Sequence, residues 1–138
     1  MNRKGREGSP GVERLCRQVL DAAFTVHTEI GPGMLESTYE QCLAFELTSQ
    51  GLEVQTQVPL PVIYRGHRLD AGYRIDMLVG GELIVELKAV EKLMPIHQAQ
   101  LLAYLRLSGK PLGLLINFNT MHLKDGIKRM VNNYDAPS

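Results

Sequence analysis

The sequence predicts an α/β fold in which a mixed β-sheet is flanked by helices, and three observations lead to this prediction. Apolar residues near the start recur every three or four positions, which is typical of helices. From Val54 to Val58 the period changes to two, as in a strand with one exposed face. Residues 112–118 are apolar at almost every position, which is typical of a strand buried on both faces. Helices that precede and separate the strands are expected to cover the sheet.

Two helices are predicted before the first strand and a third between later strands. The apolar stripe of the first helix ends before Gly31; it comprises Val12, Leu15, Cys16, Val19, Ala22, Ala23 and Val26. The second helix ends near Gly51, a residue able to take the left-handed conformation that closes a helix. Its stripe comprises Leu35, Tyr39, Cys42, Leu43 and Leu47. Pro95 suits the first turn of the third helix, because proline lacks the N–H that this turn leaves unpaired.

The strands around residue 80 are predicted to form a hairpin. Residues 73–79 and 82–90 are rich in strand-forming residues and are joined at Gly80 and Gly81. Before them, Pro59 and Pro61 confine the chain to an edge or interrupted strand, and Arg65-Gly66 is expected to be a turn. After residue 118 we expect one more amphipathic helix, with Leu123, Ile127, Met130 and Val131 on its apolar face.

Length and composition indicate one globular domain. The chain has 138 residues, 15 basic and 15 acidic side chains, and a hydrophobic fraction of 44%. We expect the domain to span residues 12–134, with polar tails at 1–11 and 135–138. A balanced charge argues against a strong, non-specific polyanion binder. With no apolar segment of membrane-spanning length, we expect a cytoplasmic protein that does not bind membranes.

Three ionisable residues interrupt the two predicted hairpin strands. Glu86 and Lys88 share one strand face, and Asp76 lies among apolar residues of the neighbouring strand. Burying such charges is costly unless a partner compensates them. One interpretation is an internal ion pair of Lys88 with an acid. The other is a divalent-metal site, since Mg²⁺ prefers oxygen ligands and Lys88 could act on the attacking water. Both interpretations are open on the strands alone.

The length of the hairpin loop tests the metal-site interpretation. A two-residue loop, Gly80-Gly81, would put Asp76 and Glu86 on opposite faces of the sheet. A three-residue loop, Gly80 to Glu82, would pair residue 76 with residue 86 and put both acids on one face. The metal site therefore requires the longer loop or a bulge.

Two helical segments add candidate residues. Glu36 lies near the glycine-rich entry of the second helix, where a carboxylate also interacts favourably with the helix dipole. Capping alone could explain this residue. Gln100 and Tyr104 are four residues apart on the third helix and share a face, where an amide and a phenol could hold a phosphate backbone or a metal-bound water. Ordinary helix packing produces the same spacing.

Residues 33–39 place Gly33, Glu36 and Tyr39 at the spacing G-x-x-E-x-x-Y, and here the sequence resembles the GxxExxY family of the PD-(D/E)XK nuclease superfamily. The resemblance extends from about residue 12 to residue 132. It includes QVPL at 57–60, YRID at 73–76, VELKA at 85–89, QLLAYL at 100–105 and GLLINF at 113–118.

This resemblance implies a restriction-endonuclease-like core and a set of functional residues. Glu36, Asp76, Glu86 and Lys88 would be catalytic, and Asp76, Glu86, Glu36 and the Leu87 carbonyl would bind Mg²⁺ or Mn²⁺. Gln100 and Tyr104 are similar to the Q-x-x-x-Y element of RecB-like exonucleases and, with Tyr39, would bind substrate. Ile75 stands where the superfamily pattern has proline.

The expected function is metal-dependent hydrolysis of phosphodiester bonds in DNA, with RNA as the alternative substrate. A second interpretation is a nucleic-acid-binding module that has little activity without a partner protein. A third is a structural or homo-oligomeric protein in which the acids have no catalytic use. If the acids are crowded, at least one should have a raised pKa.

Overall fold

A computed structural model of the protein describes residues 10–132. Within that range the elements are α1 (Pro10–Ile30), α2 (Glu36–Ser49), β1 (Val54–Pro59), β2 (Val62–Tyr64), β3 (His67–Leu69), β4 (Arg74–Val79), β5 (Leu83–Lys88), α3 (Pro95–Ser108), β6 (Leu112–Asn117) and β7 (Ile127–Val131). Helix α1 begins at Pro10, inside the segment 1–11 that we expected to be a tail. The remainder of that segment and the expected tail 135–138 lie outside the described residues.

The sheet is mixed, as the sequence predicts. Its five strands lie in the order β1-β4-β5-β6-β7. Strands β5 and β6 are parallel, because α3 connects them, and the other neighbours are antiparallel. Strands β2 and β3 form a separate hairpin. Its turn residues Arg65 and Gly66 have φ angles of 52° and 79°, as in the tight turns that match the twist of a hairpin.

Helices cover both faces of the sheet. Apolar residues of α1 and α2 pack with Met77, Val85 and Leu114 in the larger core. Apolar residues of α3 pack on the other face with Leu78, Ile84 and Leu115. Every residue of β6 is buried, which confirms the prediction of a strand covered on both sides. No helix within residues 10–132 is long and apolar enough to cross a membrane.

The prediction of a final helix after residue 118 is wrong. Residues Leu123–Gly126 form a single 3₁₀ turn, and β7 follows as an edge strand paired with β6. Ile127 and Val131 are four residues apart, a spacing that fits one face of a helix and also one face of a strand. The pairing decides between them, because β7 satisfies backbone groups of β6 that would otherwise have no partner on that side.

The loop between β4 and β5 has three residues. Val79 pairs with Leu83, Leu78 with Ile84 and Met77 with Val85. Continuing this register by one residue sets Asp76 opposite Glu86. The sheet therefore has the longer loop that the metal-site interpretation requires, and both acids are on one face.

Candidate functional site

The carboxylates of Asp76 and Glu86 each accept a hydrogen bond from a backbone N–H of the neighbouring strand. The Asp76 N–H donates to Glu86 Oε2 at 2.9 Å, and the Leu87 N–H donates to Asp76 Oδ2 at 2.9 Å. Charge-assisted bonds of this kind fix the two carboxylates in position. The structure thus brings together the two acids that the sequence analysis placed at the centre of the site.

Glu86 is only 4% exposed, and its environment favours the protonated form. Burial, and after it the charge of the adjacent Asp76 carboxylate, raise the pKa of Glu86 to about 8. Lys88 and the Asp76 N–H act in the opposite direction. The expectation that at least one acid has a raised pKa is confirmed.

Lys88 follows Glu86 by two residues on β5 and is half-buried. No carboxylate oxygen of residues 10–132 lies within 4.0 Å of its Nζ, so the internal ion pair is not formed within this range. The ammonium still acts at longer distance, because it lowers the pKa values of Glu36 and Glu86. Lys88 therefore acts on Glu36 and Glu86 without forming an ion pair with either of them.

Glu36 is the first residue of α2 and reaches the site from the helix entry. Gly33 precedes it with a φ of 99°, a conformation that residues with a Cβ rarely adopt. The Ala89 backbone lowers the pKa of Glu36, and the charge of Asp76 raises it, so the carboxylate is near both. Although the residue is exposed, partial desolvation is the main cause that raises its pKa, and Lys88 opposes this rise.

Tyr39 supports the loop before α2. Its side chain is fully buried and its ring stacks on Phe118, with 4.5 Å between the centroids. The hydroxyl donates to the Gly31 carbonyl at 2.5 Å and accepts from the Met34 N–H at 3.1 Å. In this structure Tyr39 has no exposed surface for a substrate, which contradicts the expectation that it binds one.

Gln100 and Tyr104 line a groove of about 610 Å³ together with Lys88. Burial raises the pKa of the Tyr104 hydroxyl, and the negative charges of Glu86 and Asp76 raise it further. The ring of Tyr73 meets the ring of Tyr104 edge to face at 6.2 Å. The structure thus connects the α3 residues with the acids of β4 and β5.

Two residues of the site were missed by sequence reasoning. Gln57 donates through Nε2 to Glu40 at 2.8 Å and lies 3.5 Å from Asp76 Oδ1. Its φ of 53° is unusual for a residue with a side chain and directs it into a second groove, of about 510 Å³, beside Glu36. Burial raises the pKa of Glu40, and the charges of Asp76 and Glu36 add to this effect. Glu40 is one helical turn after Glu36, a spacing that could have revealed it; Gln57 had no such signal.

The donor set fits a hard cation held by two protein carboxylates. Asp76 and Glu86 project from adjacent strands on one face of the sheet, and Mg²⁺ is commonly bound by one or two carboxylates with water in its other positions. A larger cluster is not present: residues 10–132 contain no group of three or more acidic, histidine or cysteine residues arranged to hold a metal ion. Glu36 is therefore not gathered with the other two acids into one metal centre here.

One comparison with known proteins identifies the family. The family model of the PD-(D/E)XK nuclease superfamily matches residues 13–130, which include every candidate residue described above. No curated protein and no solved structure matches the chain. The superfamily comprises nucleases, so membership implies a nucleic-acid substrate. These nucleases generally use divalent metal ions. Because the match covers nearly all of the described domain and the observed mixed α/β sheet has the expected fold, the chain belongs to the PD-(D/E)XK nuclease superfamily.

Proposed function

We propose that this protein is a metal-dependent nuclease that hydrolyses phosphodiester bonds of DNA, with RNA as the alternative substrate. The observation that supports this most strongly is the register of β4 and β5, which sets Asp76 opposite Glu86 on one face with Lys88 beside them. Glu86 is buried, Asp76 is half-buried, and Lys88 has no carboxylate oxygen within 4.0 Å in residues 10–132, so an internal ion pair of the described residues does not account for these charges.

The proposed roles follow from these positions. Asp76 and Glu86 would hold Mg²⁺ or Mn²⁺ with the carbonyl of Leu87, and Glu36 would be the acid that faces them from α2. The metal ion supplies charge neutralisation at the phosphoryl group and an activated water. The Lys88 ammonium would orient that water and offset the negative charge that develops on the phosphoryl oxygens. Gln100 and Tyr104 would hold the substrate from α3.

We further infer that the chain is a GxxExxY protein, because each residue of that spacing has its own place in the loop. Gly33 adopts a left-handed φ, Glu36 begins α2 beside the site, and the Tyr39 hydroxyl binds Gly31 and Met34. In this interpretation the motif fixes the helix entry so that Glu36 reaches the acids. Tyr39 would then support the catalytic residues and would not touch the substrate.

One observation favours the second candidate, a binding module that has little activity without a partner. Asp76 and Glu86 each accept a backbone N–H, and a cluster of three metal-binding residues is not formed within residues 10–132. A partner, or the substrate phosphate itself, would then have to complete the metal site.

A cleavage assay tests the proposed function. Single-stranded, double-stranded and branched DNA, and RNA, are incubated with the protein in Mg²⁺ or Mn²⁺ or with a chelator. We expect metal-dependent cleavage that Asp76→Asn reduces at least 100-fold, since removal of a group acting on the transition state costs about 10²–10³ in rate. The Asn oxygen can still accept the Leu87 N–H, so the fold should be kept. Asp21→Asn, on the exposed face of α1, removes the same charge elsewhere and serves as the control.

Lys88→Met tests the lysine in the same assay, with the exposed Lys92→Met as its match. We expect Lys88→Met to lose cleavage and to retain DNA binding. The fold of this variant should be kept, because Nζ has no carboxylate partner within 4.0 Å in residues 10–132. Equal cleavage by the wild type and both site variants would contradict the proposed function. No cleavage of any substrate, together with metal-dependent DNA binding, would favour the binding module.

A further inference from the structure

The groove beside Lys88 is lined mainly by apolar and aromatic side chains. Tyr73 is 46% exposed and Ile96 is 69% exposed, and both line it with Val62 and Tyr104. Its volume of about 610 Å³ lies within the range of about 300–1,000 Å³ that is usual for small-molecule sites. The groove is continuous with the proposed active site, because Lys88 belongs to both.

The charges of the groove do not suit a phosphate backbone. Among the described residues that line it, Lys88 is the one lysine or arginine. Proteins that follow a phosphate backbone place several cations along it, and the chain as a whole has no net charge. Tyr73 is instead an exposed aromatic ring, the kind of group on which an unpaired base stacks, and such stacking is tolerant of sequence.

We propose that this aromatic groove, formed by Tyr73, Tyr104, Ile96 and Val62, binds an unstacked nucleobase beside the phosphate at Lys88, so that the substrate is single-stranded. This inference rests on the proposed function. In a duplex the base next to the reacting phosphate is paired and stacked, and it would first have to be flipped out, at a cost in pairing and stacking energy, before it could enter the groove. The Gln100 amide, on the same groove, is available to hydrogen-bond the edge of the base.

Binding measurements with a matched pair of tyrosine variants test the groove. A fluorescent 12-nucleotide single strand of DNA, the same sequence as RNA, and the corresponding DNA duplex are titrated with protein in EDTA and again in Ca²⁺. Tyr73→Leu removes a ring of the groove. Tyr64→Leu removes a comparably exposed ring, 59% against 46%, that does not line the groove.

We expect the wild type to bind single strands more tightly than duplex. Tyr73→Leu should weaken single-strand binding roughly 5- to 100-fold, the effect usual for loss of one stacked base, while Tyr64→Leu should change it less than twofold. The DNA and RNA arms identify which single strand is preferred. A scan in which one abasic nucleotide is moved along the oligonucleotide should show one position where binding drops and where Tyr73→Leu has no further effect.

Equal binding of duplex and single strand, or a flat abasic scan, would overturn the proposal. An unchanged Kd in Tyr73→Leu, with unaltered thermal unfolding, would overturn it too. These outcomes are separable from failure of the proposed function. If the protein cleaves duplex and Tyr73→Leu does not change that cleavage, the groove proposal fails and the nuclease proposal stands. If single-strand binding depends on Tyr73 but no substrate is cleaved, the groove proposal stands and the nuclease proposal fails.

Discussion

At the scale of single residues, Glu86 shows how a strand interior changes the chemistry of a side chain. It lies in β5 between residues that are themselves buried, and its carboxylate accepts the Asp76 N–H. Burial and the nearby Asp76 charge make the ionised form of Glu86 unfavourable, which raises its pKa to about 8. At neutral pH and without a bound cation, the acid pair therefore keeps a proton.

This raised pKa predicts a pH-dependent stability. A folded-state pKa of about 8, above the unfolded value of 4.5, means that protonation stabilises the folded protein. The stabilisation of the folded protein by protonated Glu86 is fully present below pH 4.5 and is lost as the pH rises through 8. Between pH 5.5 and pH 8 in chelator we expect the free energy of unfolding to fall by about 2–3 kcal/mol.

The matching variant is Glu86→Gln, whose amide oxygen can still accept the Asp76 N–H. Its free energy of unfolding, measured by urea titration at both pH values, should lack most of this fall. At pH 8 the variant should be more stable than the wild type. A wild type and a variant with parallel pH profiles would show that Glu86 ionises normally in the folded protein.

At the scale of elements, the loop between β4 and β5 decides the arrangement of the site. Gly80 and Gly81 have φ angles of 60° and 69°, and together with Glu82 they make the three-residue connection. Asn117 supports the other end of β5. Its side chain accepts the Val90 N–H at 3.0 Å and donates to the Val90 carbonyl at 2.9 Å, which holds the chain just after Lys88.

The two loop glycines give a matched stability test. Alanine at either position adopts an unfavourable φ, at a cost of about 1 kcal/mol or more. At Gly80 a Cβ would also lie 2.7 Å from Leu15 Cδ1 of α1, whereas at Gly81 no atom lies within 4 Å. We expect Gly80→Ala to lower the free energy of unfolding by about 1–3 kcal/mol more than Gly81→Ala, because the packed Leu15 side chain must shift. Equal losses in chemical denaturation would mean that Leu15 moves aside freely.

At the scale of the whole molecule, the proposed metal site would couple metal binding to stability. Asp76, Glu86 and Glu36 are held near each other by α2, β4 and β5, which are brought together only in the folded chain. A divalent ion that binds the folded form alone would therefore raise the melting temperature. At a hundredfold excess over Kd the gain is about 2.7 kcal/mol, which corresponds to several degrees for a domain of this size.

Asp76→Asn should remove this increase. In chelator the variant should melt at or above the wild-type temperature, since the change removes a negative charge next to Glu86 and keeps an acceptor for the Leu87 N–H. In Mn²⁺ only the wild type should gain stability, and Asp21→Asn should behave like the wild type. Strong destabilisation of Asp76→Asn in chelator, beside a wild type that does not respond to Mn²⁺, would contradict the metal site.

The sequence by itself determined the helices, most strands and the identity of the central acids. Helical and strand periods are local properties, and apolar residues must be buried in any fold of this class. Charged residues on otherwise apolar strands identified Asp76, Glu86 and Lys88 for the same reason, because burial of charge is costly wherever the strand lies.

Only the tertiary structure decided which of these residues meet. Ile127 and Val131 fit a helix as well as a strand, and the unpaired edge of β6 selected the strand. The hairpin permitted two registers, and the three-residue loop selected the one that sets Asp76 opposite Glu86. Gln57 gave no local signal, since its hydrogen bond to Glu40 spans 17 residues and its backbone is left-handed. Burial of Tyr39 likewise depends on Phe118, which follows β6. Apart from the hairpin, whose paired residues are close in sequence, the deciding contact joins residues far apart in the chain, and such contacts leave no periodic pattern in the sequence.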